Sequence, residues 1–100
     1  MTELARTDHG AIEISENALS QLVLRAAGRI EGARVRRPRR GLQVHVADGR
    51  ARVSVEVTVD RGAVLPDAAR SIQESVAGTL EQMCGLEVGA VDVSIEGLTA

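Results

Sequence analysis

Residues 41–60, "GLQVHVADGRARVSVEVTVD", decide the fold. Leu42, Val44 and Val46 alternate with Gln43 and His45. Val53, Val55, Val57 and Val59 alternate with Ser54, Glu56 and Thr58. A period of two places one set on each side of an extended chain. Between the runs stands Asp48-Gly49, a pair suited to the left-handed conformations of a type I′ turn. A two-residue turn there sets Ala47 against Arg50, Val44 against Val53 and Leu42 against Val55. All the apolar side chains then share one face, so the turn chemistry and the periodicity predict the same hairpin.

Working towards the N-terminus, residues 34–40 read "RVRRPRR", five arginines within seven positions. Pro38 disfavours a helix and biases Arg37 towards extended backbone. The segment reads as a loop, or as the ragged start of a strand at Val35. Before it, Leu19, Leu22, Val23, Ala26, Ala27 and Ile30 recur at helical spacing. Ser15 is placed to cap that helix, with Glu16 in its first turn; Gly28 weakens its end and Gly32 closes it. "GAIEIS" (10–15) alternates as a short strand. Residues 1–9 are polar and are expected to form a flexible N-terminus.

Towards the C-terminus, Asp60-Arg61-Gly62 breaks the second hairpin strand. A helix is predicted from Pro66 or Asp67, with Ala69, Ile72, Val76, Leu80 and Met83 as its apolar stripe. Gly85 followed by Leu86 predicts a left-handed helix ending. Gly78 weakens a helix interior, and close approach to the sheet is one reason for it. Val91, Val93 and Ile95 alternate in a last strand.

The order is β-α-β-β-α-β. Each strand has one apolar side, so both helices are expected on the same face of the sheet. The fold class is α+β: a two-layer sandwich with a four-stranded, mostly antiparallel sheet, for which a ferredoxin-like order is the simplest topology. One hundred residues make one domain, here residues 10–98. Its core must rest on 13 Val, 9 Leu and 5 Ile, because Phe, Tyr and Trp are absent. Such burial leaves a thin margin over chain entropy, which favours self-association.

Net charge is −2 but segregated, at −3 over residues 1–24, +6 over 25–61 and −5 over 62–100. All 12 basic residues are arginine, through genomic composition or through use in bidentate contacts. Contact between copies, or an acidic partner for the middle segment, fits this asymmetry. The uncovered sheet face is expected to carry Glu13, Gln43, His45, Arg52, Ser54, Glu56, Thr58, Asp92, Ser94 and Glu96. It reads as a solvated face or as a docking surface for basic segments. Arg34, Arg36, Arg37, Arg39 and Arg40 read as a solvated loop, a protein or anionic-membrane contact, or a phosphate grip for nucleic acid. The stacking aromatics usual in single-strand and RNA binders are missing.

The sequence offers no constellation for catalysis. Glu56, Asp92 and Glu96 would be neighbours on an exposed face, with nothing to perturb them. Only His9 and His45 are available beside carboxylates for a metal, and His45 with Glu56 reads as surface chemistry. Cys84 is alone, so no internal disulfide forms, and it reads as a small buried side chain. No P-loop, dinucleotide fingerprint or nucleophile elbow occurs. No catalytic, cofactor-binding or metal-ligating residue is expected. No secretory leader or spanning segment is legible, so the chain reads as cytoplasmic.

From "GAIEIS" through "IEG", "GLQVHV", "VSVEVTV", "RG", "IQESV", "MCGL" and "VDVSIEGL", the chain resembles the alkaline shock protein family of bacterial envelope stress response proteins. The resemblance rests on the order and spacing of these pieces over residues 10–98. Arg61 stands where the family often has an aromatic, and Cys84 where threonine is common. The resemblance implies a non-enzymatic, self-associating adaptor or scaffold. It would lie at the inner face of the cell membrane and bind a small membrane-anchored partner, without inserting in the membrane itself. It assigns no role to the arginine run. A nucleic-acid-binding module using that run is the alternative.

Overall fold

The Asp48-Gly49 turn closes as its composition requires. Both residues are left-handed, with φ of 53° and 74°, and the backbone pairs Ala47 with Arg50, Val44 with Val53 and Leu42 with Val55. The computed structural model describes residues 2–7, 10–36 and 41–99; for residues 2–13 that description is of the backbone. Its elements are β1 (Thr2–Thr7), β2 (Gly10–Ile14), α1 (Glu16–Gly28), β3 (Ala33–Val35), β4 (Leu42–Ala47), β5 (Arg50–Asp60), α2 (Leu65–Cys84) and β6 (Glu87–Thr99).

The architecture is the expected α+β sandwich. β5 is the centre of a four-stranded sheet, with β4 and β3 both antiparallel to it along one side and β6 parallel to it on the other. The parallel pair is joined through α2, as a crossover of this length requires. β2 does not enter this sheet. It pairs antiparallel with β1, so residues 2–7, which the sequence assigns to a flexible start, carry strand pairing. The fourth strand of the main sheet is instead β3.

Valines 53, 55, 57 and 59 are buried beneath the helices, together with Leu19 and Val23 of α1 and Ile72, Val76 and Leu80 of α2. The helices also touch each other, where the Ser75 hydroxyl donates to the Ala26 carbonyl at 2.8 Å. The Ser15 hydroxyl accepts from the Ala18 amide at 3.1 Å, capping α1. α2 ends at left-handed Gly85 (φ 67°), with the Gly85 amide bonded to the Glu81 carbonyl and that of Leu86 to Leu80.

Two packing expectations need correction. Met83 is 64% exposed, and Cys84 takes the last buried position of α2. The buried residues are 72, 76, 80 and 84; each four-residue step advances about 40° around the helix, so by the last turn the buried direction has moved to Cys84, about 100° from Met83. Burial raises the Cys84 thiol pKa above its ordinary value by desolvation. Gly78 has open space where a Cβ would stand, so no close helix–sheet approach accounts for it.

Candidate interaction face and edges

The sheet face opposite the helices is built by the even-numbered residues of β5, since the odd ones are buried. Register then fixes its rows. Ala47, Arg50 and Glu87 form one, and His45, Arg52 and Ala90 the next. Gln43, Ser54 and Asp92 follow, and Glu56 lies beside Ser94. Arg34, Thr58 and Gly97 close the face, with Glu96 in an adjoining irregularity of β6.

These rows segregate charge. On the β6 side the open-face charges are Glu87, Asp92 and Glu96, all exposed carboxylates. On the β3/β4 side they are Arg34 and Arg36, with His45 further along. The central strand contributes Arg50, Arg52 and Glu56. Among the described residues one ion pair crosses strands, Arg50 to Glu87 at 3.0 Å; both side chains are mostly exposed and it adds little stability.

The face brings together Glu56, Asp92 and Glu96 around Ser94, whose hydroxyl donates to Glu96 Oε2 at 2.7 Å. It does not bring His45 to Glu56. His45 stands opposite Arg52, with the Gln43–Ser54 row between it and Glu56. Glu13 lies in β2, whose backbone pairs it with Glu3, and so outside the four-stranded sheet. A shallow groove on the face is lined by Gln43, His45, Arg52, Ser54 and Asp92. No group of three His, Cys, Asp or Glu among the described residues could hold a metal ion. Among the described residues no helix is long and apolar enough to cross a membrane.

Arg37, Arg39, Arg40 and Pro38 lie outside the described residues, but their anchor points are defined. Val35 stands opposite Val57 and Leu42 opposite Val55. A continuous edge strand would place one residue between them, opposite Glu56. The chain has six there. The Arg36 amide donates to the Glu56 carbonyl, and the Glu56 amide to the Gly41 carbonyl, both at 2.7 Å. β3 and β4 are therefore two halves of one edge strand, and residues 37–41 are five more than a continuous strand opposite Glu56 would need. Gly41 is needed at the re-entry, because a Cβ there would collide with the Arg36 carbonyl oxygen and crowd Glu56 Oε2. Sequence reading missed this architecture; the signal was Arg34-Val35-Arg36, which has the alternation of a strand.

Deleting residues 37–41 should accordingly leave a continuous strand with Arg36 opposite Glu56. The expected result is an unchanged far-UV circular dichroism spectrum and a melting temperature within a few degrees of the parent, since shortening a loop of this size alters closure entropy by about 1 kcal/mol or less. A collapse of cooperative melting would show that the run belongs to the fold.

The far end of β6 is also distinctive. Leu98 is 49% exposed on the helix side of the sheet, beside buried Val59. Nearer the middle of the strand, Gln73 Nε2 of α2 donates to the Val91 carbonyl at 3.0 Å. That carbonyl therefore faces away from β5, and so, by alternation, do the backbone groups of Val93 and Ile95.

No curated protein matches the chain. Its fold recurs in solved structures of MamM CTD variants. A zinc form is 18% identical with a TM-score of 0.61, covering 84% of this chain and 87% of that one. A copper form is 20% identical with a TM-score of 0.59, covering 85% and 100%. At such identities the likeness is one of fold. A family model matches residues 33–100, from β3 through β6, and this span takes in the hairpin, α2 and the polarised face. The chain therefore belongs to the alkaline shock protein 23 family, described as having a cell envelope-related function.

Proposed function

We propose that the protein is a non-enzymatic adaptor at the inner side of the cell envelope, which associates with copies of itself and with a membrane-anchored protein. The observation that carries this reading is the segregation of charge across the open face, with arginines at the β3/β4 edge and carboxylates at the β6 edge. A surface so divided attracts a complement of the opposite order, and a second copy supplies both signs. Family membership supports the envelope setting. Residues 37–41 are extra to the strand register at Glu56, so their side chains are not required by the pairing of the sheet.

Changing Arg34, Arg36, Arg37, Arg39 and Arg40 to serine should reduce recovery in the envelope fraction several-fold while melting stays cooperative. Unchanged recovery and unchanged self-association would remove the arginines from the mechanism. If the same substitutions instead abolished a salt-sensitive, sequence-independent affinity for RNA or DNA, the nucleic-acid reading would replace this one.

A further inference from the structure

We infer that copies join head to tail, with the β6 edge of one copy continuing the sheet onto the β3 edge of the next; this rests on the self-association proposed above and specifies its surface. Among the described residues, no further strand pairs with either edge at one row of the sheet. Val57 has Val35 on one side and Ile95 on the other. Hydrogen bonds of Gly32 to Asp60 and of Arg36 to Glu56 point the even residues of β3 inward to β5. The backbone of Val35 is thereby turned outward. On β6, the Gln73–Val91 bond shows that odd residues face outward, which includes Ile95.

Extending the row of Val57 from one copy to the next sets Ile95 against Val35 of the second copy. β3 is antiparallel to β5 and β6 parallel to it, so the new pair is antiparallel. Ile95 and Val35 are then an outward-facing, hydrogen-bonded pair that can exchange two backbone bonds. The side chains agree on both faces. On the helix side, half-buried Ile95 meets half-buried Val35, and exposed Leu98 comes level with Ala33. On the open side, Arg34 comes level with Gly97 and next to Glu96 in the adjoining irregularity, and Arg36 lies beside Ser94 between Asp92 and Glu96.

The same charges disfavour the symmetric alternatives. Pairing β6 with β6 sets Asp92 and Glu96 against their own kind, and pairing β3 with β3 opposes arginines. A head-to-tail contact is heterologous, so it propagates beyond a dimer into a ring or filament. The half of β6 preceding Val93 takes no part, because Gln73 already occupies its edge.

The test uses two variants of the full chain, Asp92→Arg/Glu96→Arg and Arg34→Glu/Arg36→Glu, in sedimentation velocity at low salt with far-UV circular dichroism as the fold control. Wild type is expected to associate with rising concentration. Each variant alone should raise the dissociation constant roughly tenfold or more. An equimolar mixture of the two should recover association, because the reversed β6 of one then matches the reversed β3 of the other. Wild type that stays monomeric overturns both this inference and the self-association beneath it. Association that survives both reversals, or a mixture that stays dissociated, overturns only the edge assignment.

Should either reversal impair folding, Arg34→Cys/Glu96→Cys gives an independent readout. In one chain these positions flank β5 at about twice the strand spacing, roughly 10 Å, too far for an internal disulfide. Mild oxidation should produce a ladder of dimers, trimers and higher species. Monomers alone, or a ladder ending at dimers, would contradict the head-to-tail arrangement.

Discussion

Leu80→Ala is expected to destabilise the protein by about 2–5 kcal/mol. Leu80 is fully buried under the valines of β5, and its carbonyl also receives the Leu86 amide at the end of α2. With no aromatic side chain in the chain, the largest fully buried groups among the described residues are Leu19, Ile72 and Leu80. Their neighbours are mainly valine and alanine, which are short and stiff and cannot swing in to fill a leucine-sized space. Total stability for a domain of this size is expected near the low end of about 5–15 kcal/mol, so this one truncation removes a large part of it. Met83→Ala, three residues on, is the control. Met83 is exposed, and its loss should change stability by less than about 0.5 kcal/mol. Urea denaturation of both variants decides the rotation of α2 about its axis: equal losses would mean that the stripe runs through Met83.

Gly41→Ala and Gly78→Ala should move stability in opposite directions. At position 41 the added methyl meets the Arg36 carbonyl oxygen and crowds Glu56. Relieving that contact means parting two strand ends that now share the backbone of Glu56, with loss of one or both 2.7 Å hydrogen bonds. The expected cost is about 1–3 kcal/mol. At position 78 the methyl meets nothing within 4 Å, and alanine is the better helix former by about 1 kcal/mol. Thermal melts of the two variants should therefore bracket the parent. A neutral Gly41→Ala would mean that the two halves of the edge strand are not held together at Glu56.

The hairpin was legible down to its register, because Asp48-Gly49 and the alternating valines are two local signals that agree. Helix α1 was legible for the same reason, with Ser15, Glu16 and the stripe from Leu19 in accord. β3 was not. It is half of an edge strand, and the signal that joins it to β4 is its distance from Val57, which is long-range and invisible until β5 is placed. The strand at Gly10–Ile14 was read as a strand but assigned to the wrong sheet, since alternation states which face is apolar and not which strand lies alongside. Apart from Glu13, which pairs in the β1–β2 hairpin, the residues of the open face followed from alternation alone, and Asp92, Glu96 and Glu56 are neighbours as expected. Their segregation from the arginines needed the order of the strands. Cys84 was read correctly as buried, yet Met83 was assigned to the same stripe, because a stripe inferred from hydrophobicity alone cannot fix helix rotation to within one residue.

The claim that matters most is that this chain works as an adaptor at the envelope. The direct measurement is to capture the intact protein from detergent-solubilised envelopes of its own host and to weigh what comes with it. The account predicts multiple copies of the chain together with a short membrane-anchored protein in stoichiometric amount. Recovery of the chain alone, or with only soluble proteins or RNA, would contradict it.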